Sequence, residues 1–528
     1  FGLGEEKIDS IKIEWPNLRS QTIIPQAVES ALNIEYDENN SIVLQNIVSP
    51  SKNIKFTEEK IIEYAHEEDS YSDFKNEKLI PYKVSDLGPA IATGDIDNNG
   101  FDDLFVGGAS GKESFILYNN GSSLLKENFQ AFKEDIDFED NAAAFFDADN
   151  DGDLDLMVVT GSSPSLRPMD YKSRLYINDN GNYSLSKNAL PAINYISSTV
   201  SVSDYDRDGD FDLFIGNKSV PGNFGLKVPS FLLKNNGKGI FSVDNKFNLQ
   251  GIVTDSEWSD IDGDGMEDLL VSTEWDNPKV FLNRKDGFKE VMFPMNIHGL
   301  WQTIKAHDID KDGDLDILLG NWGLNTKFNI NFDGPLKMFH DDFDENGIEE
   351  NIIAYYRDEN YYPINSKSEL ASQMNFIDKK FLDNKSYAGK TVEQIFTSNK
   401  LKSSIEYQVN VLNSGFLRNE GGNFESFIEF PVEFQMGPIN TFENIDLIGD
   451  NYLFVAGNKL GVNSYHGRYN SQKGIIMGGI DDFQFSTDYG IGPINSQVSN
   501  IVVLKMKDKD VIMIFTNDDK VLQYSHTQ

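Results

Sequence analysis

Acidic side chains recur along this sequence in one fixed spacing. In the first copy, Asp95, Asp97, Asn99 and Asp103 occupy positions 1, 3, 5 and 9 of a short segment, and Gly100 occupies position 6. The spacing occurs six times in the chain. The later copies supply Asp147, Asp149, Asp151, Asp155; Asp204, Asp206, Asp208, Asp212; Asp260, Asp262, Asp264, Asp268; Asp308, Asp310, Asp312, Asp316; and Asp342, Asp344, Asn346, Glu350.

This spacing fits Ca²⁺, which binds about six to eight hard oxygen atoms. Alternate side chains, with the backbone carbonyl of position 7, can supply such oxygens within one loop. Glycine at position 6 allows the sharp turn that folds them around one point. The remaining copies have Gly152, Gly209, Gly265, Gly313 and Gly347 there. We therefore predict up to six structural Ca²⁺ ions.

The loops differ from EF-hands. An EF-hand needs a bidentate Glu at position 12 of the loop. In the six copies that position holds Val106, Val158, Ile215, Val271, Leu319 and Ile353. Among the predicted sites, the amides Asn99 and Asn346 and the longer Glu350 indicate weaker binding at the first and the sixth.

The elements that position these loops are predicted to be short strands. Each loop runs into an apolar, β-favouring stretch, and successive loops lie roughly 50 residues apart except for the last. A second turn signature, as in 117–121, 175–181, 233–237 and 417–421, indicates a hairpin in each repeat. The pattern predicts an all-β, seven-bladed β-propeller with one four-stranded blade per repeat.

Two further segments complete this architecture. Residues 446–458 repeat the strand ending without the acidic series and predict a blade that binds no calcium. Ser366 and Glu369 have the spacing of a capping box and open a stretch to about residue 401 with helical periodicity. That stretch predicts a short helical insertion, either a structural lid or a docking element.

The charge and the amino-acid composition limit the classes of partner and of site that the chain can have. The formal net charge is −39, which disfavours nucleic acid and anionic membranes and favours cations. The sequence has no Cys, so disulfides, thiolate zinc sites and cysteine nucleophiles are excluded. No apolar run is long enough to cross a membrane. The start at 1–4, without initiator Met or signal peptide, indicates an internal fragment.

The acidic loops resemble those of the FG-GAP or VCBS propeller family, whose repeats are similar to the loops of integrin α-subunit heads. The resemblance covers 85–528 and implies the calcium-stabilised propeller. The segment 1–48, with Phe1–Gly4 and Ile8–Pro16, resembles the end of an ASPIC/UnbV module, as in cartilage-acidic-protein-like proteins, and 49–84 would be a linker. This resemblance implies a bacterial surface protein, similar to accessories of outer-membrane nutrient transporters.

Binding is favoured over catalysis as the function. The six His residues are scattered without metal-ligand spacing, and no nucleophile elbow or phosphate loop occurs. We therefore predict a non-enzymatic binding module, extracellular or on the outer-membrane surface, whose partner is a surface protein complex or a glycan. Trp322, Arg468 and Tyr469 are the candidate ligand contacts, since they lie in turn-like segments. A calcium-dependent polysaccharide lyase and a purely structural docking platform remain alternatives.

Overall fold

A computed structural model describes residues 10–15, 19–24, 34, 41–43, 54–161, 171–328, 330, 334–447 and 449–526. The chain divides into two compact units, Phe1–Asn53 and Ile54–Gln528. In the described part of the smaller unit, an antiparallel sheet has the order β1 (Ile11–Trp15), β2 (Arg19–Ile23), β3 (Ser41–Val43). The segment 1–4, used above to suggest a fragment, lies outside the described residues.

The larger unit begins with β4 (Phe56–Glu58) and continues into a series of antiparallel sheets. The first comprises β5 (Ile91–Gly94), β6 (Asp103–Val106), β7 (Phe115–Asn119) and β8 (Leu124–Glu127), followed by helix α1 (Gln130–Glu134). The second comprises β9 (Asp140–Phe146), β10 (Asp155–Thr160), β11 (Arg174–Asp179) and β12 (Asn182–Leu185). The third comprises β13 (Ile196–Ser203), β14 (Asp212–Ser219), β15 (Val228–Asn235) and β16 (Phe241–Val243), with β17 (Leu249–Gly251) paired to β15. The fourth comprises β18 (Val253–Ser259), β19 (Asp268–Asp276), β20 (Lys279–Leu282) and β21 (Lys289–Glu290), with β22 (Gly299–Leu300) paired to β19.

The fifth sheet is interrupted by an insertion. It begins with β23 (Thr303–His307) and β24 (Asp316–Gly320) and ends with β29 (Gly415–Arg418) and β30 (Ser426–Glu429). The residues between form a separate sheet in the order β27 (Asn360–Pro363), β26 (Glu350–Arg357), β25 (Leu336–Asp341), β28 (Ile405–Val409). Between β27 and β28 lie α2 (Lys367–Gln373), α3 (Phe376–Lys380), α4 (Asn384–Tyr387), α5 (Val392–Ile395) and α6 (Ser398–Ser403).

The insertion contains both the predicted helices and the sixth acidic loop. The capping box is confirmed, because the Ser366 hydroxyl accepts the Glu369 amide and the Glu369 carboxylate accepts the Ser366 amide. Leu370, Ile377 and Ile395 pack on β25 and β26 in one apolar cluster. The sixth loop joins β25 to β26, so it belongs to the inserted sheet. The sixth repeat therefore lies outside the series that contains the other five, because a whole sheet has been inserted between β24 and β29.

Two sheets complete the series. The sixth comprises β31 (Ile439–Leu447), β32 (Asp450–Gly457), β33 (Ile475–Gly479) and β34 (Asp482–Phe485). The last comprises β35 (Gln497–Lys505), β36 (Asp510–Asn517) and β37 (Leu522–His526), and β4 pairs with β37 as its fourth strand. Short 3₁₀ turns lie at Asp73–Lys75, Val432–Gln435 and Ser486–Tyr489. In the described part of the larger unit, seven such sheets thus follow one another, apart from the inserted one.

The predicted linker at 49–84 contributes to the larger unit. Phe56 pairs with His526 in the register of β4 and β37, and its ring is buried in the cluster shared by the sixth and last sheets. This strand is separated in sequence from its partner by nearly the whole unit, so local sequence gives no sign of the pairing. From residue 54 the described segment is part of the packed core region.

The second strand of each sheet is buried on both faces. β6, β10, β14, β19 and β24 read as nearly continuous runs of buried residues because neighbouring sheets cover them on both sides. The first sheet also packs against the last through Leu104, Val106, Leu504 and Met513. The first strands of the seven sheets line one cavity of about 370 Å³. Its lining includes Ile91, Asn141, Ser198, Asp255, Thr303, Asn440 and Gln497.

Asparagine side chains tie neighbouring sheets together. Asn283, which directly follows β20, donates through Nδ2 to the carbonyl of Tyr205 in the third sheet's acidic loop at 2.6 Å and to that of Glu267 at 3.2 Å. Its side chain is buried, so both bonds are made away from water. Equivalent bonds to the adjacent sheet run from Asn119 to Lys505, from Asn235 to Ala148 and from Asn419 to Ile261. The bond from Asn119 joins the first sheet to the last.

None of the described helices has the length and hydrophobicity of a transmembrane segment.

Phe56→Ala should lower the free energy of unfolding by about 3–5 kcal/mol, because it removes a buried ring that fixes β4 in the last sheet. Thr57→Ala, at the neighbouring exposed position of the same strand, should change it by no more than about 0.5 kcal/mol. Urea unfolding followed by tryptophan fluorescence measures both. Equal effects of the two substitutions would show that β4 adds nothing to the core.

Asn283→Ala should lower the free energy of unfolding by about 1–3 kcal/mol, since the carbonyls of Tyr205 and Glu267 lose a buried donor. The matched control is Asn182→Ala, because Asn182 is exposed and its side-chain amide donates to the carbonyl of Asp179 in its own hairpin. Thermal and urea unfolding compare the two variants. A neutral Asn283→Ala would mean that the sheets hold together without these amides.

Candidate metal centres

Five of the acidic loops occupy one structural position. They join the first strand to the second in each of the first five sheets, as 95–103, 147–155, 204–212, 260–268 and 308–316. Position 9 of each loop is the first residue of the second strand. Each connection leaves the C-terminal end of a first strand, so all five loops lie at the same end of these strands.

The backbone of the loops has the turn that the sequence predicts. Glycine at position 6 is left-handed in all six copies, with φ from 86° at Gly347 to 103° at Gly313. Position 4 is left-handed as well, for example at Asn98 and Lys311. The glycine amide donates to the carboxylate of position 1, at 2.8 Å from Gly100 to Asp95. The turn therefore fixes the first carboxylate before any ion is present.

The carboxylate of position 9 is held from two sides. In the first loop, Asp103 Oδ1 accepts the amide of Asn119 at 2.7 Å and Oδ2 accepts the amide of Ile96 at 3.0 Å. The second, fourth and fifth loops repeat both bonds. In the third loop Asp212 accepts the amide of Asn235 alone, and its other oxygen is buried without a partner.

Carboxylates converge in every one of these five loops. Oxygens from positions 1, 3 and 9 lie within 4.8 Å of one another in each set. The sets are Asp95, Asp97, Asp103; Asp147, Asp149, Asp155; Asp204, Asp206, Asp212; Asp260, Asp262, Asp268; and Asp308, Asp310, Asp316. The spacing in the sequence therefore corresponds to convergence in space.

Several of these oxygens are buried and lack any hydrogen-bond partner in the structure. They include one oxygen each of Asp149, Asp204, Asp212, Asp260 and Asp310, and, in the sixth loop, of Asp344 and Glu350. Buried polar atoms are nearly always hydrogen-bonded in folded proteins. Unpartnered oxygens at equivalent positions of several loops fit a cation with hard oxygen ligands, and the donor set fits Ca²⁺.

Burial raises the pKa of the position 9 carboxyls. The pKa rises to about 6 for Asp103, Asp268 and Asp316, and to about 7 for Asp155, Asp212 and Glu350. Removal from water is the main cause, and the neighbouring loop carboxylates add to it. The negative charge at these positions is therefore costly unless a cation balances it.

Basic side chains form ion pairs with ligand residues in three of these five loops. Arg284 pairs with Asp262 and, at 2.6 Å, with Asp264 in the fourth loop. Lys234 pairs with Asp206 in the third loop, and Arg418 pairs with Asp310 in the fifth. In the part of the chain that the structure describes, no Lys or Arg forms an ion pair with the ligand residues of the first two loops. The predicted order of calcium affinity rests on ligand type, which does not reveal these ion pairs.

The asparagines of the third strands escaped the sequence analysis as functional residues. Asn119, Asn178, Asn235 and Asn419 each donate a backbone amide to the position 9 carboxylate of their own sheet. All four stand in the turn signatures that predicted the hairpins. Their recurrence before a glycine was the available signal, but without the fold it indicated only a turn.

Two of the three candidate ligand contacts are buried in the core. Trp322 and Tyr469 are buried in the same apolar cluster, with ring centroids 5.2 Å apart. Both rings therefore pack in the core, because the turn after β24 folds inward against Tyr82 and Phe328. Arg468 lines a separate cavity with Asp86 and Asp519.

Comparison with known proteins connects this geometry to a repeat family. The FG-GAP-like repeat family matches residues 147–215 and 260–319. Each match begins at the first ligand residue of one loop and ends in the strand that follows the next loop. No curated protein matches the sequence.

Several solved structures are similar over most of the chain. YCF48 from Cyanidioschyzon merolae has 8% identity and a TM-score of 0.40, covering 84% of this chain and 98% of that one. BBS1N in complex with ARL6DN, soaked with mercury, has 8% identity and a TM-score of 0.38, covering 85% and 97%. The Dos1 propeller has 10% identity and a TM-score of 0.38, covering 86% and 97%. The chain is therefore an all-β protein that contains FG-GAP-like repeats at 147–215 and 260–319 within a series of antiparallel sheets.

Proposed function

We propose that the larger unit is a closed, seven-bladed propeller that binds structural Ca²⁺ in its acidic loops and serves as an interaction platform. The pairing of β4 with β37 and the packing of the first sheet on the last support closure. The shared cavity of the seven first strands supports the central channel that such a ring requires.

The unpartnered carboxylate oxygens carry the calcium proposal. In the second loop, Asp147, Asp149, Asp151 and Asp155 would hold the ion, with the carbonyl of position 7. One Asp149 oxygen is buried without a partner, and no basic side chain of the described residues pairs with this loop. Bound Ca²⁺ would neutralise the converging carboxylates and tie the first strand to the second. Its role here is structural.

The proposed setting is outside the cytosol, at an outer-membrane or other extracellular surface. Loop sites of this kind fill at the roughly millimolar calcium of such compartments. The partner proposed is a surface protein complex or a glycan, and an outer-membrane nutrient transporter fits the resemblance of the chain to surface accessories. We further propose the ASPIC/UnbV origin of the segment 1–48.

A binding role rather than catalysis is proposed for the described surface. His66 pairs with Glu68, and His340 pairs with Glu349 and Asn351 in the inserted sheet. These contacts satisfy the imidazoles within the fold. The engagement of these two imidazoles in structural contacts supports a binding role.

Chelation by EDTA should lower the melting temperature by about 5 °C or more, and added Ca²⁺ should restore it, because ligand binding to the folded state contributes about 2.7 kcal/mol per site at a hundredfold excess over Kd. Differential scanning fluorimetry on one sample, with Mg²⁺ as the ionic control, measures the effect. An unchanged melting temperature would leave the loops as acidic turns.

A pair of variants in the second loop tests the site itself. Asp149→Ala should reduce the stabilisation by calcium, because it removes a converging carboxylate. Asp153→Ala should preserve it, since position 7 is expected to bind through its backbone carbonyl and its side chain is outside the converging set. Calcium titrations of the melting temperature compare them. An equal loss in both variants would indicate damage to the turn rather than loss of a ligand.

Arg284→Met should raise calcium affinity at one site by about fivefold, because it removes a positive charge that pairs with two ligand residues of the fourth loop. Arg357→Met, at an exposed arginine paired with Asp358, is the control. Competition with a calcium chelator dye gives the affinities. A weaker site in Arg284→Met would mean that the guanidinium helps to hold the ligands in place.

A further inference from the structure

Two buried lysines face the central cavity. Lys218 lies in β14 and Lys459 is the second residue after β32, and both line the cavity. Their side chains are buried, with relative exposures of 2% and 4%. Between them lie the carboxylate of Glu274 and the ring of Tyr82, also buried. We call this region the lysine end: Lys218, Gln302 and Lys459 line the cavity, and Tyr82 and Glu274 contact them without lining it.

The Glu274 carboxylate is fully engaged. Its Oε2 accepts the hydroxyl of Tyr82. Its Oε1 accepts Gln302 Nε2 at 2.8 Å and lies 3.4 Å from Lys218 Nζ. One carboxylate therefore balances one of the two lysines, and its hydrogen-bonding capacity is used by the surrounding side chains.

Lys459 has no such partner. Its ammonium lies 5.4 Å from the centroid of the Tyr82 ring, and it forms no ion pair or hydrogen bond with the residues that the structure describes. Burial lowers the pKa of Lys459 to about 8, and the nearby positive charge of Lys218 contributes. A buried charge is normally paired, because removing it from water is costly. An unpaired ammonium that lines a cavity marks a place for an anion.

The rest of the cavity is rich in hydroxyl and amide groups. Thr199, Ser256, Thr303 and Asn440 line it, together with Ser198, Asn141, Gln497, Ser499 and Asn500. Its volume of about 370 Å³ is within the range of small-molecule sites. Such a lining recognises a ligand that carries several hydroxyl groups rather than an apolar one.

Carboxylates away from the lysine end set the orientation. Asp255 accepts the Thr303 hydroxyl at 2.8 Å, and Glu257 lies 3.4 Å from Lys305 Nζ. Near them, burial raises the pKa of Glu443 to about 7. These acidic groups would repel an anion and can accept hydrogen bonds from hydroxyls. The carboxylate of a ligand is therefore directed to Lys459 and its hydroxyls towards Asp255 and Glu257.

We propose that the central cavity binds a small organic acid bearing several hydroxyl groups, of monosaccharide size, with its carboxylate on Lys459. The site is built from the starts of the first strands and the ends of the second strands. It uses none of the acidic loop residues. The inference deepens the proposed binding role, but it is independent of whether the loops hold calcium.

The test is binding of glucuronate to the full chain, with glucose as the uncharged control. Isothermal titration calorimetry should detect glucuronate, and glucose should bind at least about 10-fold more weakly because it lacks the carboxylate. Acetate, which has the charge without the hydroxyls, should also bind at least about 10-fold more weakly. Absence of glucuronate binding, or equal binding of glucose or acetate, would overturn the proposal.

Lys459→Met should weaken glucuronate binding by at least about 10-fold, whereas Lys227→Met, which removes a paired lysine outside the cavity, should retain it. A second readout separates a ligand site from a structural one. Without ligand, Lys459→Met should melt at a higher temperature than the parent protein, since an unpaired buried charge is replaced by an apolar side chain. A lower melting temperature, or unchanged binding in Lys459→Met, would overturn the assignment.

Calcium chelation keeps the two proposals distinguishable. EDTA-treated protein that remains folded at low temperature should still bind glucuronate, because no loop ligand lines the cavity. Loss of glucuronate binding only in Lys459→Met, with the calcium response intact, supports the cavity site. A folded, chelated protein that no longer binds glucuronate would contradict the independence of the two sites.

Discussion

The first five sheets depend on one buried carboxylate at the start of the second strand. In four of these sheets its two oxygens accept amides from the loop before it and from the third strand or the residue after it, as Asp155 does from Ala148 and Asn178. The carboxylate thus connects the acidic loop, the second strand and the third strand through hydrogen bonds. The same group faces the other loop carboxylates. One side chain therefore both fixes the backbone and forms part of the converging set of carboxylates that could bind a cation.

Charge balance explains how so acidic a chain can fold compactly. The formal net charge of −39 is concentrated in part at the loops. Lysine and arginine side chains offset it at the third, fourth and fifth loops. The first two loops lack such pairs among the described residues. The repeats are therefore similar in geometry and different in electrostatics, so equal response to one ion is not expected of them.

Local features were predictable from the sequence, and long-range ones were not. The left-handed glycines, the start of the second strand at position 9 and the capping box at Ser366 follow from residues close together in the chain. The inserted sheet, the role of 56–58 and the sheet-to-sheet bonds of Asn235 and Asn419 depend on segments far apart in sequence. Trp322 illustrates the limit, since its turn-like segment made it a candidate ligand contact and the fold buries the ring.

The pairing of β4 with β37 also bears on how the protein is made. During synthesis, residues 56–58 emerge before the other strands of the larger unit, but their partner at 522–526 emerges only after every other sheet described in that unit. Until then the apolar faces that join the first and last sheets, including Val106 and Met513, have no cover. The nascent chain therefore carries this uncovered apolar edge while all of the intervening sheets are translated. Chaperones would have to protect this edge during synthesis, whereas in the folded protein the same residues are buried.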